Sequence, residues 1–123
     1  MTIKSSMSLV EEALKEIKTI SSTEALQLCK ENKCNLIDLR EKSEIQTYGE
    51  VENSIHMPRG LLEFHINNER PDLDFNKELV LFCAAGARSA LAAKTLKEMG
   101  FEKVSHIEGG FGLMENAGFK VVK

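Results

Sequence analysis

The run Glu78-Leu79-Val80-Leu81-Phe82 does not alternate apolar with polar residues, and this constrains the fold more than any other feature of the chain. A strand with one wet face alternates with a period of two. A continuous apolar run of this length belongs to a strand covered on both faces, as in a parallel sheet between two layers of helices. A helical pattern follows at once: Ala87 to Met99 sets Ala92, Leu96 and Met99 on one face and stops at Gly100. Between the two stands Cys83-Ala84-Ala85-Gly86, so a thiol sits at the carboxyl end of a buried strand. In open α/β sheets, sites gather at that end of the strands.

The rest of the chain repeats the alternation. Ser8 with Glu11 reads as a capping box that opens an amphipathic helix, with Leu9, Val10, Ala13, Leu14 and Ile17 at helical spacing, running to Lys18. Ser21 with Glu24 opens a second helix that carries Leu26 and Cys29 and fades near Lys33. Cys34 to Glu41 reads as a strand with Asp38 near its end. Ser43 to Tyr48 predicts a short helix stopped by Gly49, and Ser54 to Met57 a short strand before Pro58 and Gly60. Leu61 to Asn67 forms a helical turn and Asn68 to Lys77 a polar loop. Phe101 to Ile107 holds a last strand, and Gly109-Gly110 breaks the chain before a short helix ending at Gly118. The expected fold class is α/β, a central parallel sheet with helices on both faces. It is organised as an N-terminal helical extension over residues 1–19 and one domain over residues 20–123.

At 123 residues the chain suits one core. A net charge of −3 argues against an extended nucleic-acid partner, though a local cradle for a small anion is compatible with it. Three cysteines, none in a C-x-x-C pair, make neither a disulfide scaffold nor a zinc site, and point to a reducing compartment. The N-terminal stretch lacks the apolar core of a secretion signal. No apolar segment approaches the roughly 20 residues that span a bilayer. A cytoplasmic protein without a membrane partner, metal or cofactor is expected.

The loop after Phe82 is where chemistry is expected. A cysteine acts as a nucleophile in its thiolate form, so its surroundings must favour negative charge. The following helix offers N-terminal amides and the positive end of its dipole. Gly86, among Ala84, Ala85 and Ala87, leaves backbone N–H groups unobstructed and lets the loop curl into an anion nest. Arg88 adds a planar fork of donors. A cation in the first turn of a helix opposes the dipole, which suggests a local anion to meet it. The alternative for Cys83 is a small buried core residue, as most free cysteines are.

Four stretches in order, "LIDLRE", "MPRG", "LVLFCAAGARSALAAKTLKEMGF" and "HIEGGFGLMENAGFKV", resemble the single-domain rhodanese family of sulfurtransferases, over about Ile20 to Val122. The resemblance implies a three-layer α/β fold. It also implies that Cys83 takes a sulfane sulfur and holds it as a persulfide, cradled by Ala84, Ala85, Gly86, Ala87, Arg88 and Ser89. Asp38 and Arg40 match the family's Asp-x-Arg strand end, a buried ion pair bracing the site wall. Arg59 matches a supporting arginine. The implied donor is a small sulfur-containing anion such as thiosulfate; the implied acceptor is cyanide, a small thiol or a redox protein. Three departures stand out. The family's Gly-His-Ile-x-Gly-Ala turn is Gly49 to Ser54 here, with Glu50 for the histidine and Asn53 for the glycine. Ala84 replaces the basic residue that many thiosulfate-using members carry after the cysteine. The last motif lacks its tryptophan, leaving Phe111 and Met114 as fillers.

Other readings remain open on the residues alone. A cysteine phosphatase spaces its cysteine and arginine by five residues to fit a phosphate; this loop has four, Ala84 to Ala87. A carrier module would receive persulfide from a protein donor. A Cys/His hydrolase needs an imidazole near the thiol, and His56, His65 and His106 are the candidates, each more simply a surface or core histidine. Cys29 and Cys34 read as structural, with a resolving role toward Cys83 as the alternative.

Overall fold

The computed structural model describes residues 2–67 and 70–123; positions 68 and 69 of the expected polar loop lie outside the described residues. The elements are α1 (Ser6–Leu14), β1 (Lys18–Ile20), α2 (Ser22–Lys30), β2 (Cys34–Asp38), α3 (Lys42–Tyr48), β3 (Glu50–Val51), β4 (Ile55–His56), a 3-10 turn (Arg59–Leu61), α4 (Leu62–His65), β5 (Glu78–Phe82), α5 (Ala87–Glu98), β6 (Val104–Ile107), α6 (Phe111–Ala117) and β7 (Val121–Val122). Five strands form a parallel sheet in the order β1-β6-β5-β2-β4. β3 and β7 make a separate antiparallel pair.

β5 lies at the centre, as its unbroken apolar run requires. Leu79, Leu81 and Cys83 face one core with Ala92, Ala93 and Leu96 of α5 and Leu62 of α4. Val80 and Phe82 face the other with Ala25 of α2 and Met114 of α6. The expected α/β architecture with helices on both faces is present. No helix among the described residues is long and apolar enough to cross a membrane.

Several boundaries differ from the sequence pattern. The first helix is capped by Ser5, whose hydroxyl accepts from the Ser8 amide; no capping box forms at Ser8. That helix ends at Leu14, and Lys18–Ile20 leaves it to pair with β6 as an edge strand, so a boundary drawn after residue 19 falls inside β1. Its buried residues, Val10 and Ala13, pack on Ala90 of α5, so the domain covers part of its apolar face, while Leu9 and Leu14 stay exposed. The strand expected to run to Glu41 stops at Asp38, because the chain there turns to bring Arg40 back onto Asp38. The strand expected from Phe101 starts at Val104, and it is not the last, since β7 follows. Met99 is exposed beyond the end of α5 rather than on its buried face. The Ser21–Glu24 capping box forms as read, closed in both directions.

The departures at residues 49–54 and in the last motif are absorbed locally. Asn53 takes φ 68°, the left-handed conformation for which a glycine is otherwise used, and asparagine is the side chain that adopts it at least cost. Met114 is fully buried, and Phe111 lies against the same core.

The parallel register sets the carboxyl ends of β2, β5 and β6 side by side, since Asp38 pairs with Phe82 and Leu81 with His106. The turn Gly109-Gly110 follows β6 and presses on the loop after β5. A Cβ on Gly110 would collide with the carbonyl oxygen of Cys83 and lie 2.9 Å from the carbonyl carbon of Ala84, and Gly110 has φ +56°. Gly110→Ala is therefore expected to lower stability by at least the roughly 1–3 kcal/mol of a strained left-handed residue. Urea unfolding followed by circular dichroism checks this; unchanged stability would show that the two turns do not touch as described.

Candidate active site

The site is built at the junction of β5 and α5. Gly86 occupies the cap position of α5 with φ 110° and lets the chain reverse there without a Cβ penalty. The reversal turns two backbone amides onto the cysteine: the Gly86 N–H donates to Cys83 Sγ at 3.1 Å and the Ser89 N–H at 3.4 Å. The carbonyls of the same loop are held elsewhere. Cys83 O accepts from the Phe111 amide at 2.8 Å and Ala84 O from the Gly112 amide at 3.2 Å. The first amides of α6 thus draw the loop carbonyls outward, so the side facing the sulfur presents donors. Cys83 is 1% exposed.

Ser89 adds a hydroxyl 3.6 Å from Cys83 Sγ. The same Oγ donates to Gly86 O at 3.1 Å and lies 2.9 Å from His106 Nδ1. His106 Nε2 in turn hydrogen-bonds Thr19 Oγ1 at 3.0 Å. A continuous chain, Cys83–Ser89–His106–Thr19, therefore leads from the thiol to the exposed edge strand β1. His106 is buried, as a core histidine would be, but one hydroxyl separates it from the thiol. The signal for it was its place in β6, beside the strand that ends at Cys83. His56 instead bonds Arg40 O through Nε2 at 2.7 Å.

Arg88 meets its anion. Its guanidinium grips Glu44 of α3 with two bonds, 2.7 Å and 2.9 Å. The Arg88 hydrogen bond, the largest influence on Glu44, draws its carboxyl down to about 2. Arg88 is held above its ordinary range chiefly by the Glu44 hydrogen bond, and the charge of Cys83 acts in the same direction. Glu44 also accepts from the Glu41 amide and so caps α3. Sequence reasoning missed Glu44; the one hint was an arginine placed against a helix dipole.

Asp38 and Arg40 form the expected ion pair, each 1% exposed, with Arg40 Nη2 at 2.8 Å from Asp38 Oδ2 and Arg40 Nε at 3.1 Å from Oδ1. Arg40 Nη2 also donates to Gly49 O, and the guanidinium carbon lies 3.9 Å from the centre of the Phe111 ring. Arg59 lies apart from this cluster: it bonds Glu63 and reaches Thr95 on α5. Cys29 and Cys34 are brought to each other, Sγ to Sγ at 3.3 Å. Cys34 begins β2 opposite Glu78, so about 16 Å of strand, at roughly 3.3 Å per residue, separates its level from that of Cys83. This separation excludes a resolving disulfide to Cys83 within one folded chain.

A model of the rhodanese-like domain matches residues 21–117. The chain belongs to this family. Among rhodanese-like relatives, the putative sulfurtransferase YtwF of Bacillus subtilis (strain 168) is 35% identical over 97 residues, which cover 79% of this chain and 86% of that protein. A polysulfide-sulfur transferase homodimer from Wolinella succinogenes superposes with TM-score 0.77 and 36% identity, covering 94% of this chain and 85% of that one. A Rhodopseudomonas palustris CGA009 protein of unknown function, described as a possible tyrosine phosphatase, superposes with TM-score 0.85 and 37% identity, covering 98% and 97%. Some rhodanese-like relatives are longer: the chain spans 38% of the Bacillus subtilis putative sulfur carrier protein YrkF.

Burial holds His106 below its usual range near 6.5, so acid favours the unfolded chain, where the ring is solvated and protonates more readily. The folded value lies below the unfolded one. The stability linked to this ring is therefore complete above the unfolded value and lost as pH falls through the folded value. Stability is expected to decline from about pH 7 to pH 5 in the wild type and less steeply in His106→Asn. Urea titrations at several pH values compare the two; parallel curves would mean that the ring titrates alike in both states.

Proposed function

We propose that this rhodanese-like domain is a sulfurtransferase that carries sulfane sulfur on Cys83. The observation that carries the reading is the pair of amides converging on Cys83 Sγ at the start of α5. Donors fixed by backbone geometry solvate an anionic sulfur without reorganising, and they serve a thiolate and a persulfide alike. The Cys83 thiolate attacks the outer sulfur of a donor; a sulfur–sulfur bond forms and the donor's own bond breaks, releasing sulfite from thiosulfate or a thiolate from an alkyl persulfide. An acceptor, cyanide or a thiol, then attacks the outer sulfur, and Cys83 leaves as thiolate. Ala84, Ala85, Gly86, Ala87, Arg88 and Ser89 form the wall around the transferred sulfur. With Cys83 at 1% exposure, the loop yields when a donor enters.

The remaining groups act through position. Ser89, its hydroxyl tied to Gly86 O and His106, holds a fixed oxygen beside the sulfur. Asp38 and Arg40 fix the wall behind the loop through Phe111. Arg59 supports from the far side of α5. The loop of four residues between Cys83 and Arg88 is smaller than a phosphate cradle, which favours sulfur over phosphoryl transfer.

One observation favours a carrier that takes its sulfur from a singly charged persulfide over one that prefers thiosulfate. The Arg88 charge is matched by Glu44 in a two-bond pair, and Ala84 supplies no second cation, so a doubly charged donor meets little net attraction. Cys83→Ser is expected to abolish sulfur transfer to cyanide from either donor. Glu44→Gln, which keeps an oxygen for the α3 cap, is expected to raise kcat/KM with thiosulfate about tenfold, the equivalent of ~1.4 kcal/mol, and to change that with a singly charged alkyl persulfide far less. Retained transfer in Cys83→Ser would overturn the mechanism. An unchanged donor ratio in Glu44→Gln would overturn the role of the ion pair.

A further inference from the structure

Cys29 and Cys34 lie at the other end of the sheet and take no part in the chemistry above. Their contact is built by the turn between α2 and β2. The Lys33 amide donates back to Leu28 O at 2.9 Å and the Asn32 amide to Cys29 O at 3.1 Å, with Asn32 at φ 54°. This is the crossed pair of bonds that closes a helix through a left-handed residue. It folds the chain back sharply enough that the first residue of β2 meets the last turn of α2. The two sulfurs stand 3.3 Å apart and both residues are half-buried.

The two thiols are not equivalent. Cys29 lines a cleft of about 280 Å³ with Leu26, Leu36, Asn53 and Phe119, and Cys34 lies half-buried beside it. Lys30 and Lys120 also border this cleft, with Glu52 as the acidic member. The Cys34 thiol, hydrogen-bonded to Cys29, lowers the Cys29 thiol, and the same contact with burial raises Cys34. Cys29, the member that lines the cleft, is thus the more readily ionised.

We propose that Cys29 and Cys34 form a second, redox-active thiol site that exchanges with small disulfides entering the cleft. The Cys29 thiolate attacks one sulfur of the small disulfide; that sulfur–sulfur bond breaks, a mixed disulfide forms on Cys29 and one small thiolate departs. Cys34 then attacks the Cys29 sulfur, its proton passing to the second small thiolate as it leaves. The protein pair is oxidised by two electrons and the small disulfide is reduced to two thiols. The resulting bridge ties the end of α2 to the start of β2 and leaves the Cys83 loop untouched. None of this depends on the sulfurtransferase reading.

The probe is oxidised glutathione, applied to the wild type and to Cys83→Ser, with intact mass and peptide mapping as readouts. The expected result in both is the loss of two hydrogen atoms with a Cys29–Cys34 bridge and little standing adduct on either residue. In Cys83→Ser/Cys34→Ser the mixed disulfide has no resolving partner, so a glutathione adduct accumulates on Cys29. In Cys83→Ser/Cys29→Ser the remaining Cys34 thiol, the less readily ionised of the pair, reacts slowly. The bridged wild type is expected to keep its sulfur-transfer rate and to melt at a higher temperature, and reduction reverses the shift. A protein that stays folded yet gives no bridge, or stable adducts on both cysteines, would overturn the proposal.

Discussion

The wall of the cysteine loop hangs on one buried charge. Arg40 is a guanidinium at 1% exposure, and a charge taken out of water is tolerated only when it is paired and hydrogen-bonded. Asp38 supplies the pairing from the end of β2, Gly49 O a further acceptor from the end of α3, and Phe111 the face of its ring. Among the described residues, Nη1 has no hydrogen-bond partner. Cation–π contact with the ring faces of Phe111 and Phe82 compensates the guanidinium in part. A buried ion pair adds little net stability, because the gain in attraction is offset by desolvation. Its effect here is geometric. Arg40 fixes Phe111, the Phe111 amide holds Cys83 O, and the loop amides are left facing the sulfur.

The sequence was legible where a local pattern and the tertiary contact agree. β5 spans the same residues in sequence and structure, because an apolar run covered on both faces admits no other register. The Ser21–Glu24 box and the stop at Gly49 are equally local. β1 was not legible: it has three residues, only Ile20 is buried, and its strand conformation comes from pairing with β6 over eighty residues away. The first helix reads as opening at Ser8, where a serine and a glutamate stand at capping-box spacing; the helix that packs Val10 and Ala13 on Ala90 starts instead from Ser5. In the site, Cys83, Gly86 and Ser89 are neighbours along the chain and could be read together. Glu44 and His106 reach them only through the fold; a linear pattern does not mark Glu44, and marks His106 only by its place in a strand.

Placing Glu44 against Arg88 changes what the loop can attract. A free guanidinium beside a thiolate would draw any small anion. Held in a two-bond pair, it retains its hydrogen-bonding geometry and loses most of its long-range field, since opposite charges 3 Å apart cancel at distance. What remains near Cys83 is the field of the backbone amides, which is short-ranged and falls off beyond the first turn of α5. Such a site stabilises charge on a sulfur already seated in it and does little to recruit charge from solution. That balance suits a group handed over in contact with a donor better than one collected by diffusion.

The two thiol environments at opposite ends of the sheet differ in one chemical respect. Cys83 receives hydrogen bonds from backbone amides, which cannot act as nucleophiles, so an extra sulfur placed on it is stabilised and left intact. Cys29 has a second thiol as its hydrogen-bond partner. A sulfur adduct on Cys29 stands within reach of a group that attacks it, so the adduct resolves to a disulfide. The nature of the donor to sulfur thus separates storage from exchange. The parallel sheet keeps the two apart, since β2 and β5 run in register from the level of Cys34 to the level of Cys83 and no folded conformation of one chain shortens that path.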